Sequence, residues 1–193
     1  MKKILLIGLI AIAFLAGSCS IGQLINLANC QFNVQDVTDI TWAGINLSKI
    51  LSPEELTFSN AANAAKAIVN KDFNIQCKVN INAKNDTKKV AKLIGYDYVL
   101  YLDGNEIASG NDSNGSYVIP PNGGTTLIPI PVKINLAKIL QKESVESIIN
   151  FAKNLTDYGN GTKSKVTVKF RPYMSAGSST KKLPAIKLSK KFQ

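Results

Sequence analysis

The amino-acid sequence predicts an all-β dominated domain, an antiparallel β-sandwich of about seven strands with one or two packed helices. Three observations lead there. Residues 73–83 put Phe73, Ile75, Cys77, Val79 and Ile81 on one parity and Asn74, Gln76, Lys78, Asn80 and Asn82 on the other, the pattern of a strand with one dry and one wet face. Asp103-Gly104 and Pro120-Pro121-Asn122-Gly123-Gly124 interrupt the extended stretches with residues that tolerate turns. Helical spacing is confined to two regions, near 53–70 and 135–158.

From the amino end, Cys30, Phe32 and Val34 alternate with Gln31, Asn33 and Gln35 as a half-buried strand, and a second extended piece covers 40–47. Ser52-Pro53-Glu54-Glu55 then supplies a capping serine, a proline at the first helical position and an acid three residues after the serine, so the free amides of a first turn find acceptors. Phe58, Ala61, Ala62, Ala65, Ile68 and Val69 recur at helical spacing and carry this helix to about residue 70. Beyond the strand at 73–83, residues 96–102 and 106–109 flank Asp103-Gly104 as a hairpin, with a polar loop at 110–115. Residues 117–119 and 125–134 flank the proline-glycine turn as another hairpin. Pro129 and Pro131 have no amide to donate, which assigns their strand to an edge or a bulge. In 135–158, Leu136, Ile139, Leu140, Ile148, Ile149, Ala152 and Leu155 are the apolar positions, Ser144 is placed to cap a second segment, and Gly159 and Gly161 end it. Val166, Val168 and Phe170 mark a strand at 165–171. The Ser, Gly and Lys content of 172–182 predicts a mobile stretch, followed by a last extended segment at 183–192.

The first nineteen residues form a separate unit. Lys2 and Lys3 precede an apolar run at 4–15, and Ala16, Gly17 and Ser18 lead into Cys19. The run is shorter than the roughly 20 apolar residues of a membrane span, and its charged start and small-residue exit fit a cleaved export signal. Ala-Gly-Ser-Cys resembles the lipobox of bacterial lipoproteins, in which cleavage precedes a diacylated cysteine, so Cys19 is the expected lipidation site. The chain thereby divides into a signal peptide at 1–18, a lipidated tether at 19–29, a β-sandwich domain at 30–172 and a basic C-terminal segment at 173–193. Ser20, with no aspartate after the cysteine, favours the outer membrane of the bacterial envelope, facing the periplasm.

Composition narrows the chemistry. Histidine is absent, which removes the commonest general base, the usual partner of a nucleophile and the commonest nitrogen ligand. With Cys19 committed to lipid, Cys30 and Cys77 cannot complete a structural zinc site, so no metal and no cofactor are expected. Both lie on the apolar parity of their strands and read as buried thiols, while an oxidising compartment keeps a disulfide open. Glu54 with Glu55 opens a helix, where acids favour the dipole. Asp36 with Asp39 flanks a strand end, and Ser48-Lys49 and Ser164-Lys165 are only sequence neighbours, so no catalytic set assembles and no enzyme is expected. The Asn-x-Ser/Thr triplets at Asn46, Asn85, Asn114, Asn154 and Asn160 read as turn and cap composition. The formal net charge is +10. No acid follows Asp157, whereas Lys163, Lys165, Lys169, Arg171, Lys181, Lys182, Lys187, Lys190 and Lys191 do, a stretch that is either a solvated face or one that attracts anionic surfaces. No basic groove interleaved with aromatics points to nucleic acid.

The order of parts from residue 73 resembles the late-embryogenesis-abundant type 2 family, also called the water-stress-and-hypersensitive-response (WHy) domain. The resemblance lies in the alternating strand at 73–83, the corner Asn85-Asp86-Thr87, the tyrosine-led hairpin from Tyr96 through Ile107-Ala108-Ser109-Gly110, and Ile119-Pro120-Pro121 followed by Leu127-Ile128-Pro129-Ile130-Pro131-Val132. It spans about 30–172. Where the family's corner reads Asn-Pro-Asn, this chain keeps only the first asparagine, and Asn85 reads as a turn-forming residue. The resemblance implies a fibronectin/immunoglobulin-like sandwich with no catalytic centre and an association with stress. The expected partners are the membrane, through lipid on Cys19, and protein clients or an anionic lipid surface; the expected alternative is an accessory subunit of a larger envelope assembly.

Overall fold

The computed structural model describes residues 25–48, 50–140, 144–156, 164–176 and 179–192. In chain order the strands are β1 (Gln31–Trp42), β2 (Ile45–Asn46), β3 (Asn74–Asn85), β4 (Ala91–Leu93), β5 (Gly95–Leu102), β6 (Asn105–Asp112), β7 (Tyr117–Ile119), β8 (Gly124–Asn135), β9 (Lys165–Ala176), β10 (Ser179–Lys182) and β11 (Ile186–Lys191). Helix α1 (Phe58–Val69) lies between β2 and β3, and α2 (Val145–Asn154) between β8 and β9. One sheet runs β2-β1-β3-β8. The other sets β5 between β6 and β9, with β10 and β11 both on the far side of β9, and β4 pairs with β7 in a short ribbon. Among the described residues every strand pairing is antiparallel, and the inner faces of both sheets contribute to one core, so the fold is the all-β sandwich with packed helices.

The alternation at 73–83 does what its period requires. Ile75, Cys77, Val79, Ile81 and Ala83 of β3 are buried, facing Val166, Val168 and Phe170 of β9 and Tyr96, Leu100 and Leu102 of β5 within the same core. Asp103 and Gly104 both take positive φ (48° and 93°), the two-residue turn that matches strand twist, and join β5 to β6. On α2, Ser144 accepts from the Ser147 amide and caps the helix that buries Ile148, Ile149, Phe151 and Ala152.

Several expectations are corrected. The first extended piece and the start of the second are one strand, β1, and the rest of the second turns back as β2; extra residues between Val34 and Asp36 and between Thr38 and Thr41 flip the parity twice, so Val34, Val37, Ile40 and Trp42 all face inward. The helix expected from 53 is a 3₁₀ turn, Pro53–Glu55, followed by α1 capped from Thr57. Its apolar stripe does not enter the core, for Phe58 is 93 % and Val69 80 % exposed while Ala64 and Ala67 are buried. Likewise 135–158 divides into a 3₁₀ turn, Leu136–Lys138, and α2. The second hairpin is not one, since β7 pairs with β4 and β8 pairs with β3. Pro129 and Pro131 do sit on the edge strand of the first sheet.

At the boundaries, residues 25–28 are helical and Leu27 is fully buried, so the ordered domain begins before residue 30. The boundary at 172 falls inside β9, and the described part of 172–182 is strand rather than loose chain. Pro172 explains how. Its carbonyl accepts from the Leu183 amide at 2.9 Å, on the side where pairing passes from β11 to β10, and its missing amide therefore costs no ladder bond.

Close approach of backbones fixes one glycine. A Cβ on Gly95 would lie 2.3 Å from the Asp112 carbonyl oxygen and 2.9 Å from the Tyr173 ring, whereas one on Gly104 meets nothing within 4 Å. Gly95→Ala is expected to lose about 3 kcal/mol by forcing β5 away from its neighbours. Gly104→Ala should lose about 1 kcal/mol, from its positive φ alone. Urea unfolding midpoints at unchanged slope check this, and equal losses would contradict it.

Candidate functional site

Cys19 lies outside the described residues. Cys30 and Cys77 are both buried and both free. Gln31, next to Cys30, pairs with Lys84, seven residues along β3 from Cys77, which separates the two positions by about 23 Å at strand rise, against the roughly 7 Å that a disulfide allows between α-carbons. Burial pushes the Cys30 thiol up to about 11, with the Asp86 charge adding to it, and the Cys77 thiol up to about 12. Neither is a nucleophile in this setting.

Asn85 is the most completely bonded polar side chain of the chain's middle. It is fully buried at the end of β3, and its Nδ2 donates to the carbonyls of Lys89 (2.9 Å) and Ile119 (3.1 Å). Its Oδ1 accepts from the Thr87 amide (3.1 Å), and the Thr87 hydroxyl lies 2.7 Å away. The adjacent turn closes on the same corner through Gly123 N to Asn85 O and Asn122 N to Thr87 O. With its donors and acceptor all engaged, Asn85 splices three segments and has nothing left to offer a ligand.

The acids and serines weighed as catalytic groups are dispersed. Glu55 accepts from the Leu51 amide, Asp36 from the Asn80 amide group, and Asp39, at φ 52° in the β1 bulge, pairs with Lys78 at 2.8 Å. The Ser48 hydroxyl accepts from the Ile40 amide, Ser164 is buried, and Lys165 turns outward from β9. Tyr96 and Tyr98 share the inner face of β5 while Tyr101 takes the outer one. Among the described residues no three His, Cys, Asp or Glu side chains converge as metal ligands.

What the sequence did not announce is a face. On the outer side of the second sheet, the β9–β11 register sets Lys169 directly opposite Lys187, Thr167 opposite Ser189 and Lys165 opposite Lys191. All four lysines are exposed, and the two hydroxyls are 2.8 Å apart. Tyr101, Gly104, Lys165, Thr167, Lys169 and Lys187 line a cleft of about 230 Å³. The Lys169 ammonium sits 4.9 Å from the Tyr101 ring centre and is held above its ordinary pKa by Tyr101 and, more remotely, Glu106. Among the described residues no carboxylate comes within ion-pair distance of these four lysines. Farther along β9 the picture reverses. Asp97 accepts from the Tyr173 hydroxyl, pairs with Lys182 at 3.2 Å and lies 4.0 Å from Arg171; desolvation opposes its ionisation, but these partners prevail and its pKa is lowered. The run of C-terminal lysines was visible in the sequence, but the pairing of Lys187 and Lys191 with β9 depended on a register that only the folded sheet supplies.

No family model matches the chain, and no curated protein matches it. Among solved structures it is similar to a crystal structure of a protein from Archaeoglobus fulgidus, at 17 % identity over 83 % of this chain and 96 % of that one, with a TM-score of 0.37. It is also similar to a solution structure assigned provisionally to the late embryogenesis abundant (LEA) proteins, at 15 % identity over 98 % of this chain and 86 % of that one, with a TM-score of 0.40. Likeness at this level transfers no residue role.

Two outcomes follow from the buried groups. Asn85→Asp keeps the acceptor but loses both donors, so two carbonyls face a buried carboxylate. Its folded-state pKa should rise above the unfolded value of about 3.9, so stability holds in acid and is lost as pH climbs from there through the folded pKa, by about 3 kcal/mol at neutrality. Thermal midpoints of variant and parent at pH 3.5 and 7 check the sign; a gap independent of pH would refute it. For the cysteines, alkylation at pH 8 should leave Cys30 and Cys77 unmodified until denaturant is added, and the intact mass should not change on reduction.

Proposed function

We propose that this chain is a non-catalytic, lipid-anchored protein of the bacterial cell envelope, tethered through Cys19, whose sandwich domain binds or shields envelope components under stress. The observation that carries the reading is the amino-terminal pattern, with Lys2 and Lys3, an apolar run and Ala-Gly-Ser immediately before Cys19. Acyl chains contribute about 0.8 kcal/mol per buried methylene, so more than one chain anchors firmly. The resemblance to the late-embryogenesis-abundant type 2 family, on the motifs from 73 to 134, supports the stress association.

The geometry is compatible with binding rather than turnover, because the acids and serines are committed singly to backbone or to strand partners. A surface for apolar clients exists on α1, where Phe58, Ala62, Ala65 and Val69 are exposed together at helical spacing. The accessory-subunit reading would use the same stripe, and one stoichiometric partner recovered from solubilised membranes would favour it.

The reading is tested in two steps. Mass spectrometry should find acyl groups on Cys19 as the first residue of the mature protein, and Cys19→Ala should abolish them. The domain should also suppress aggregation of an unrelated protein during drying or freezing, with Phe58→Ser/Val69→Ser reducing the effect and added salt sparing it, since apolar contact is not screened. Protection no better than that of an equal mass of an unrelated sandwich protein would sink the shielding role.

A further inference from the structure

We propose that the outer face of β9 and β11 is a docking surface for the phosphate groups of anionic lipid headgroups, held by the opposed pairs Lys169/Lys187 and Lys165/Lys191. Like charges directly opposite across a strand pair destabilise a sheet, and here two such pairs stand on one face with no carboxylate at ion-pair distance among the described residues. An anion between the members of each pair turns the repulsion into attraction. Ser189, exposed between the pairs and hydrogen-bonded to the buried Thr167, adds a hydroxyl, and the backbone turn at Gly104 lines the end of the cleft.

The occupant follows from spacing and from the tether. The two pairs are four residues apart on β9, about 13 Å at strand rise; Lys165, Lys169 and Lys187 share one cleft and Lys191 is not in its lining, so one phosphate in the cleft leaves part of the face unserved, whereas an array of headgroups covers it. The cleft, at about 230 Å³, is below the roughly 300–1,000 Å³ of pockets that enclose a small organic ligand. This inference rests on the membrane-tethered reading of Cys19. From Cys19 to Ile25 the chain can span at most about 22 Å; a short helical turn at 25–28, where Asn26 Nδ2 donates to the Val90 carbonyl, then leads into β1, which lies along β11. The Phe32 ring is 5.5 Å from that of Phe170, and Lys190 Nζ donates to the Gln35 carbonyl at 2.6 Å. That leash is shorter than a strand of twelve residues, about 40 Å, so the side of the sandwich that carries β1 and β11 is the side the membrane meets.

The test uses the full chain and vesicles of phosphatidylcholine with and without phosphatidylglycerol. The readout is the ratio of binding to the two compositions, from which the contribution of acyl chains or an apolar leader cancels. Each lysine near an anionic surface is worth about fivefold in affinity, so Lys169→Gln/Lys187→Gln should lower the ratio about 25-fold. Lys66→Gln/Lys133→Gln, which removes the same charge elsewhere, should leave it within about threefold. Thermal midpoints confirm folding, since removing a repulsive pair should hold or raise them. Equal losses in the two double variants, or no loss in the first, would overturn the proposal. So would a midpoint rise with inorganic phosphate at matched ionic strength, abolished by Lys169→Gln/Lys187→Gln, without vesicle selectivity, because the ligand would then be a small soluble phosphate. The mass of Cys19 is read separately: an unmodified cysteine with headgroup selectivity intact removes the anchor and leaves the lysine face standing.

Discussion

Two tyrosine hydroxyls hold the sandwich shut along one seam. Tyr96 and Tyr98, both from β5 of the second sheet, donate to the carbonyls of Pro129 and Pro131 on β8, the edge strand of the first, each at 3.2 Å. In an antiparallel strand the amide and carbonyl of one residue point to the same side, so these carbonyls mark the open edge of β8, and at the same two residues proline leaves no amide to expose. The tyrosines take the acceptors and the prolines remove the donors. An edge that would otherwise template another strand becomes an internal junction. Tyr96 also stacks its ring near those of Tyr98, Tyr117 and Phe170. Its hydroxyl is held far from ionisation, first by desolvation and then by the neighbouring Tyr117 and Asp112. A phenol that stays neutral at any physiological pH is a dependable donor, and the junction does not titrate.

The opposite seam is built differently. There β1 meets the second sheet through the Phe32–Phe170 contact to β9 and the Lys190–Gln35 bond to β11, and the end of β1 is fastened by Trp42, whose indole donates to the Asp72 carbonyl at 2.7 Å. Val37 reaches the inside only because β1 is bulged twice, the first bulge exchanging the parity and the second restoring it for Ile40 and Trp42, and that explains what the sequence could reveal. Strict alternation identified β3, β5 and the first half of β9, strands that carry no extra residue of their own, the irregularities of their ladders falling on β1 and β6. It broke β1 into two pieces because a bulge resets parity without any turn residue to announce it. The proline rule allowed β8 an edge or a bulge, and the sheet order shows the edge. The Ser, Gly and Lys content of 172–182 read as loose chain, because composition does not say that the missing amide of Pro172 falls at the junction between two partner strands.

The candidate sites divide along the same line. Asn85 was legible as a turn residue, since its chemistry is local: Thr87 and Lys89 are its near neighbours in sequence, and only Ile119 comes from afar. Cys30 and Cys77 were correctly placed inside by parity, but their separation needed the β1–β3 register. The lysine face was legible only as a charge imbalance, because a cross-strand pair is a property of two segments and of the number of residues between them. Helix α1 shows the converse. Its apolar positions announced a helix but not which way it faced, because alanine is compatible with core and solvent alike.

Why β9 and β11 keep a register that opposes lysine to lysine is a question of relative magnitudes. Slipping β11 by one residue would part the lysines, but period-two geometry would carry Leu188 out to solvent and turn Lys187 and Ser189 toward Val168 and Phe170. A buried aliphatic side chain contributes about 1.5–3 kcal/mol, and a lysine forced into an apolar core costs several more. Repulsion between solvated ammonium groups is small beside either, and salt reduces it further. The core therefore dictates the register, and the outer face accepts the charge pattern that results. Polar residues without charge at Lys187 and Lys191 would satisfy the core equally well, since only alternate positions point inward. The sequence instead carries lysine at both, each opposite another lysine, so the inner face explains the register and leaves the four charges to be explained by what meets the outer one.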